Sequence, residues 1–143
     1  MRTLLRLLPL LLLLVTPALA QGPHRLAMQI SDNDPDKMNA VLNVAANVSK
    51  YYSDKGEEVE IQVVAFNAGL HMLREDTSPV KPRIASLAKS IPNVSFKACQ
   101  NTIDGMTKRE GKDIPIVAEA DRVPSGAVRL IELSETGWTI LRP

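Results

Sequence analysis

Apolar and polar residues follow two alternating patterns along the chain, and these predict strands and helices in alternation. Short apolar runs bounded by turn residues predict five strands, at residues 24–30, 59–66, 94–98, 118–123 and 138–141. Apolar residues spaced three and four apart predict helices between the strands, at about residues 35–55, 79–91, 101–108 and 126–137. Asp34 and Pro35 suit the start of the first helix, and Gly137 suits the end of the last one.

This alternation predicts the fold class. We expect an α/β protein with a mainly parallel sheet of about five strands and helices on both faces, in a flavodoxin-like three-layer sandwich. In sheets of this kind, ligands bind where the strands end, at the carboxyl edge of the sheet. The loops expected at that edge are residues 31–34, 67–69, 99–102 and 124–126.

The periodicity also predicts the surroundings of three groups of side chains. A polar row on the first helix, which is either solvated or a subunit contact, consists of Asn39, Asn43 and Asn47. A short apolar patch, which is either core or a subunit contact, consists of Leu70, Met72 and Leu73. In the last helix, Val128, Ile131 and Leu130 are expected to point inward.

The first twenty residues have the pattern of a secretory signal peptide. A short basic start is followed by a nearly pure leucine run at residues 7–15, and Ala18 and Ala20 provide small residues before a cleavage site. The apolar run is shorter than the roughly 20 residues that span a bilayer, which argues against a membrane anchor. We therefore expect an exported, periplasmic protein that begins at Gln21 and keeps no membrane segment.

Composition narrows the classes of function. Cleavage leaves 123 residues, at positions 21–143, which is enough for a single domain with its own core. Loss of the two leader arginines changes the formal charge from +1 to −1, so the charge does not favour nucleic acid as a partner. The one cysteine excludes an internal disulfide framework, and with two histidines it forms no metal-binding motif. We expect neither a metal nor a cofactor.

The one cysteine, Cys99, follows a predicted strand and precedes a predicted helix, which puts it at the carboxyl edge. A helix start offers N–H groups and a partial positive charge, both of which favour the reactive thiolate. Since no other catalytic motif occurs, Cys99 is the best candidate for a nucleophile. His71 would act as its base only if the segment after Gly69 folds over the edge. The alternative is a buried cysteine that packs as a small apolar residue.

Four stretches of the sequence together resemble the small exported branch of the DsrE/DsrF-like family. They are DPDKMNAVLNVAANV at residues 34–48, VVAFNAGLHML at 63–73, FKACQNT at 96–102 and RVPSGAVRLIELSETGWTILRP at 122–143. The resemblance implies a compact α/β domain that assembles into homo-oligomers, either trimers or hexamers. Better-known cytoplasmic members relay sulfur as a persulfide on a cysteine located where Cys99 falls. Gln100 departs from the pattern, because related exported sequences often have glycine there.

Two hypotheses from different classes follow from the resemblance and the predicted edge. In the first, Cys99 accepts sulfane sulfur from a small sulfur compound or a sulfur-donor protein and hands it on, as a carrier rather than a turnover enzyme. In the second, the protein is a ligand-binding or oligomeric scaffold module in which Cys99 is structural. The residues expected around the sulfur or the ligand are Asn67, Gly69, Asn101, Thr102 and Ser125.

Overall fold

The computed structural model describes residues 22–143, so the leader prediction and the expected start at Gln21 lie outside the described residues. In chain order the elements are β1 (His24–Ile30), α1 (Pro35–Asp54), β2 (Val59–Ala65), a 3-10 segment (Asn67–Leu73), α2 (Lys81–Ser90), β3 (Val94–Cys99), α3 (Gln100–Glu110), β4 (Ala120–Val123), α4 (Gly126–Glu135) and β5 (Thr139–Leu141). Every predicted strand and helix is present, with boundaries that differ by a few residues. Asp34 caps α1 as expected, because its side chain accepts hydrogen bonds from two backbone N–H groups.

All five strands are parallel, in the order β4-β3-β2-β1-β5. The chain builds the sheet from β1 to β4 in sequence, and α4 then carries it back to place β5 on the other side of β1. Because parallel crossovers are right-handed, the outward connections and the returning α4 lie on opposite faces. The structure confirms the predicted α/β fold with helices on both faces.

The two faces of the sheet are covered unequally. The thick face carries α1, α2, α3 and the 3-10 segment, and its large core includes Met28, Phe96 and Ile103. The thin face is covered by α4 alone among the helices of residues 22–143. The small core of the thin face consists of Ala27, Val64, Leu130 and Leu133, with Phe66 and Trp138 packed against it. The thick face therefore supplies most of the apolar burial that stabilises the fold.

The orientation predicted for α4 is wrong for two of its three residues. Leu130 is buried as expected, and Leu133 is its partner in the core. Val128 and Ile131 instead point outward and are 51% and 56% exposed. Because Val128 and Ile131 are apolar as well as Leu130, the sequence alone did not show which side of α4 faces the sheet. The sheet surface contacts only one row of side chains on this helix, and that row contains Leu130.

The sequence left two groups of residues as possible subunit contacts, and the structure gives a different answer for each. Leu70, Met72 and Leu73 are fully buried in the thick-face core, so the interpretation as core is confirmed and that as a contact is wrong. The asparagine row is divided rather than uniformly solvated. Asn39 and Asn43 accept hydrogen bonds from Arg83 of α2. Asn47 lies exposed near β5.

A buried arginine closes the thick face beside the 3-10 segment. Arg74 donates paired hydrogen bonds to Asp76 at 2.8 and 2.9 Å and to Glu110 at 2.6 and 2.9 Å. Its side chain is 2% exposed. Hydrogen bonds with Asp76 and then Glu110 raise the pKa of Arg74, and the hydrogen bonds from Arg74 lower the pKa of both carboxyl groups. Because Glu110 is the last residue of α3, this network ties the 3-10 segment to the helix that follows Cys99.

Candidate functional site at the carboxyl edge

The loops after the first four strands lie together at the carboxyl edge. The backbone N–H of Asn67 donates to Thr102 Oγ1 at 3.0 Å, and that of Asn101 donates to the carbonyl oxygen of Pro124 at 3.2 Å. The loop after β2 is thus joined to the start of α3, which is joined in turn to the loop after β4. The structure brings Asn67, Asn101, Thr102 and Ser125 to one edge.

Backbone geometry explains two of the residues at this edge. A Cβ on Gly69 would lie 2.3 Å from the carbonyl oxygen of Ile30, so only glycine allows the 3-10 segment to approach the end of β1. Asn67 has a φ of 50°, in the left-handed region that asparagine tolerates better than most residues. Gly69, predicted to bind a ligand, is buried and shapes the edge by its lack of a side chain.

Cys99 is the last residue of β3 and directly precedes the first residue of α3. Ala98 lies in the thick-face core, so alternation along the strand points the Cys99 side chain to the thin face. There Cys99 is in register with Val123, the last residue of β4. Only 4% of Cys99 is exposed. The sulfur is therefore recessed beside the turn that leads from β4 into α4.

The candidate base and the lysine nearest Cys99 in the sequence are engaged elsewhere. His71, which could act as the base only if its segment folded over the edge, shares a 2.8 Å hydrogen bond between its Nδ1 and Thr77 Oγ1, and it belongs to the segment that packs on the thick face. The Nζ of Lys97 lies 2.6 Å from Asp121 Oδ2. No side chain of residues 22–143 forms a hydrogen bond with the sulfur of Cys99. The structure does not bring the base suggested by the sequence to the thiol.

Four polar residues remain at the edge beside Cys99. Ser125 caps α4 by accepting a 3.4 Å hydrogen bond from the N–H of Val128, and Thr102 accepts the bond from Asn67 described above. The side chains of Asn67 and Asn101 are exposed, and neither forms a hydrogen bond within the described chain. Side-chain amides of this kind can donate hydrogen bonds to an incoming polar molecule or anion.

Gln100 is held at the outer surface of α3. Its Nε2 donates to Asp104 Oδ1 at 2.7 Å, and its Oε1 accepts from Arg122 Nη1 at 3.5 Å. These three residues line an open cavity of about 430 Å³ beside β4. A glycine at position 100 would remove this polar bridge between α3 and β4.

Two further cavities lie away from Cys99. One of about 740 Å³ lies at the amino ends of the strands between α1 and α2, and an apolar groove of about 420 Å³ lies between α1 and β5. Within residues 22–143, no three His, Cys, Asp or Glu side chains lie close enough together to hold a metal ion. In the same part of the chain, no helix has the length and apolar character that crossing a membrane requires.

Two solved structures share this fold. MTH1491 from Methanobacterium thermoautotrophicum, a protein of unknown function, is 28% identical with a TM-score of 0.67, over 84% of this chain and 99% of its own. BT1422 from Bacteroides thetaiotaomicron, a conserved protein of unknown function, is 18% identical with a TM-score of 0.50, over 82% and 93%. No protein-family model and no curated protein matches the chain. Membership of the DsrE/DsrF-like family therefore stays a prediction.

Proposed function

We propose that this is an exported sulfur-handling protein in which Cys99 carries sulfane sulfur as a persulfide. The thiolate sulfur attacks the sulfane sulfur of a polysulfide or thiosulfate and forms a new S–S bond. The donor's own S–S bond breaks, and a shortened polysulfide or sulfite leaves with the electron pair. One observation carries the proposal: the one cysteine of the chain lies at the carboxyl edge, where the loops after four parallel strands meet.

The surroundings of the thiol suit such a carrier. Asn67 and Asn101 are exposed at the same edge of the sheet, and their side-chain amides can donate hydrogen bonds to the oxygens of thiosulfate or to a sulfur anion. The start of α3 favours negative charge at the same point. The small exposed fraction of Cys99 protects a single thiol from over-oxidation and from disulfides with other chains in an oxidising compartment.

A second candidate function is a ligand-binding or scaffold module with a structural cysteine. The observation that favours it is the same burial, since Cys99 is 4% exposed and its sulfur has no hydrogen-bond partner within the described residues. In this alternative the edge amides bind a small ligand and the thiol only fills space. The two functions differ in one property, namely whether the folded protein reacts at Cys99.

Thiol reactivity of the folded protein separates the two functions. We expect iodoacetamide to modify Cys99 at neutral pH without denaturant, and polysulfide to add one sulfur atom that mass spectrometry detects. Cys99→Ser should lose both signals, whereas Ser53→Ala, on the exposed end of α1, should keep them. Modification that occurs only after unfolding would overturn the carrier and support the structural cysteine.

Export and assembly belong to the same proposal. Residues 1–20 would be removed after Ala20 on the way to the periplasm, and N-terminal sequencing of the exported product should begin at Gln21. A soluble exported product that retains residues 4–15 would contradict this. The homo-oligomer implied by the family resemblance, a trimer or a hexamer, is measured by light scattering.

A further inference from the structure

The cavity of about 430 Å³ beside β4 lies on the thick face of the sheet, at its β4 edge. Helix α3, the loop that follows it and strand β4 form its walls. Arg122 points to this face, because it is in register with Ala98, which lies in the thick-face core. The polar side chains that line the cavity are Gln100, Asp104, Thr107, Asp113 and Arg122.

The cavity brings one cation and two carboxylates together without pairing them. Arg122 belongs to the β4 wall, whereas Asp104 belongs to α3 and Asp113 to the loop after it. Within residues 22–143, none of these three side chains forms an ion pair. Lys112, which precedes Asp113 in the sequence, is bound to the carboxylates of the Arg74 network instead. The opposite charges of this cavity are therefore available to a ligand.

The side chain of Gln100 shows how short the span between the opposite charges is. Its Nε2 donates to Asp104 Oδ1 at 2.7 Å, and its Oε1 accepts from Arg122 Nη1 at 3.5 Å, which is long for a hydrogen bond. One amide group thus fills the gap between a carboxylate and the guanidinium. Because the nitrogen and the oxygen of an amide are attached to one carbon atom, a ligand that spans the same gap must hold its own charges about as close together.

The mixture of charges narrows the class of ligand. A simple anion would be attracted by Arg122 and repelled by two carboxylates, and a simple cation would be repelled by the guanidinium. A molecule with both an ammonium group and a carboxylate is attracted by both sides. In an α-amino acid these two groups are attached to one carbon atom, which reproduces the short span of the Gln100 amide. The guanidinium of arginine also matches a carboxylate with two parallel hydrogen bonds.

The cavity offers apolar surface as well as charge. Ile103 and Ile114, which are buried, and Pro115, which is exposed, also line it. Its volume falls within the range of about 300–1,000 Å³ that is usual for small-molecule sites. An aliphatic side chain can therefore pack here while the two charged groups of the same ligand bind the polar walls.

We propose that this cavity binds a free α-amino acid with an aliphatic side chain. The ligand carboxylate accepts paired hydrogen bonds from Arg122, and the ligand ammonium group donates hydrogen bonds to Asp104 and Asp113. The amide of Gln100 leaves the gap, and its Nε2 then donates to the ligand carboxylate. The site is separate from Cys99, whose side chain points to the thin face, so it does not depend on the sulfur chemistry proposed above.

An NMR titration with L-leucine tests the class of ligand. All strands and both cores lie within residues 22–143, so the chain without residues 1–20 is a suitable protein. We expect the backbone amide signals that move to belong to α3, residues 111–115 and β4. Isocaproate lacks the ammonium group and leucinamide lacks the carboxylate, so each should bind at least about tenfold more weakly. No movement of these signals with about 10 mM leucine, or equal binding of either analogue, would overturn the proposal.

Substitutions test whether leucine binds through the charged walls. Arg122→Gln, and Asp104→Asn combined with Asp113→Asn, remove charge with little change of size, and each should weaken leucine binding at least about tenfold. Lys89→Gln is the control, because it removes an exposed charge of α2 outside the cavity and should change nothing. Thermal melts establish that each variant is folded. Binding that is unchanged in either cavity variant, or weakened equally in the control, would show that this cavity is not the site.

Discussion

The two faces of the sheet differ in what they contribute to the protein. On the thick face, twenty-three buried apolar residues form one core, which the buried Arg74 network closes. On the thin face, as far as residues 22–143 describe it, four buried residues lie under a single helix, and the recessed Cys99 is found beside them. The thick face can thus maintain the fold while the thin face and its edges remain available for chemistry and contacts. Substitutions matched between the two faces test this division.

The largest difference should come from the two phenylalanines. Phe96 is fully buried in the thick-face core, whereas Phe66 is half-buried on the thin face. Phe96→Ala should lower the free energy of unfolding by about 3–5 kcal/mol, because it leaves a cavity in a close-packed core. Phe66→Ala should cost less than half as much. Urea denaturation measures both, and equal losses would contradict the unequal roles of the faces.

The second largest effect should come from the ion-pair network. Arg74→Met removes the paired hydrogen bonds to Asp76 and Glu110 and leaves the exposed Lys112 as the partner of both carboxylates, so it should cost about 2–3 kcal/mol. Arg83→Met is the matched control, since this arginine is exposed on α2 and bonds only to asparagine side chains; it should cost about 0.5 kcal/mol. If both variants lose the same stability, the buried network does not hold the thick face together.

The same network predicts a dependence of stability on pH. Arg74 lowers the pKa of Asp76 and Glu110 in the folded state below the ordinary values of 3.8 and 4.5. Groups with a lowered folded-state pKa stabilise the protein fully above their ordinary pKa, and this contribution is lost as the pH falls through the folded-state pKa. Unfolding measured between pH 7 and pH 2 should therefore show a loss that begins near pH 4.5. In Arg74→Met this part of the loss should become smaller, because only Lys112 still lowers the pKa of the two carboxyl groups; an unchanged pH profile would contradict it.

A smaller effect is expected at the turn beside Cys99. A Cβ on Gly126 would lie 3.0 Å from two atoms of the Phe66 side chain, so Gly126→Ala should cost about 1–2 kcal/mol. Gly105→Ala in α3 is the control, because its nearest neighbour would be the end of the Arg109 side chain at 3.7 Å. That change should stabilise α3 by up to about 1 kcal/mol. If Gly126→Ala and Gly105→Ala change the free energy of unfolding equally, the start of α4 can move away from Phe66 without loss of stability.

The sequence predicted the elements, the sheet and the place of Cys99, because periodicity and the rule for strand ends depend on local pattern. It did not predict burial on the thin face. The recess of Cys99 depends on the return of α4 across the sheet, which is a long-range property. Arg74 and its acidic partners look like an ordinary charged loop in the sequence. The groove beside β5 did leave a signal, since Val48, Tyr51 and Tyr52 add apolar and aromatic side chains to α1 beyond its fully buried residues.

The smallest effect on stability should come from Cys99 itself. Its side chain is buried at the end of a strand, but it belongs to neither apolar core, so Cys99→Ala should cost about 1 kcal/mol or less. A carrier would lose its sulfur chemistry completely with this change while remaining folded. A structural cysteine would show the opposite: no chemistry to lose, and a cost comparable to that of removing a core residue. Measuring the unfolding free energy and the persulfide yield on the same Cys99→Ala protein therefore decides whether the thin face contributes reactivity or packing at this position.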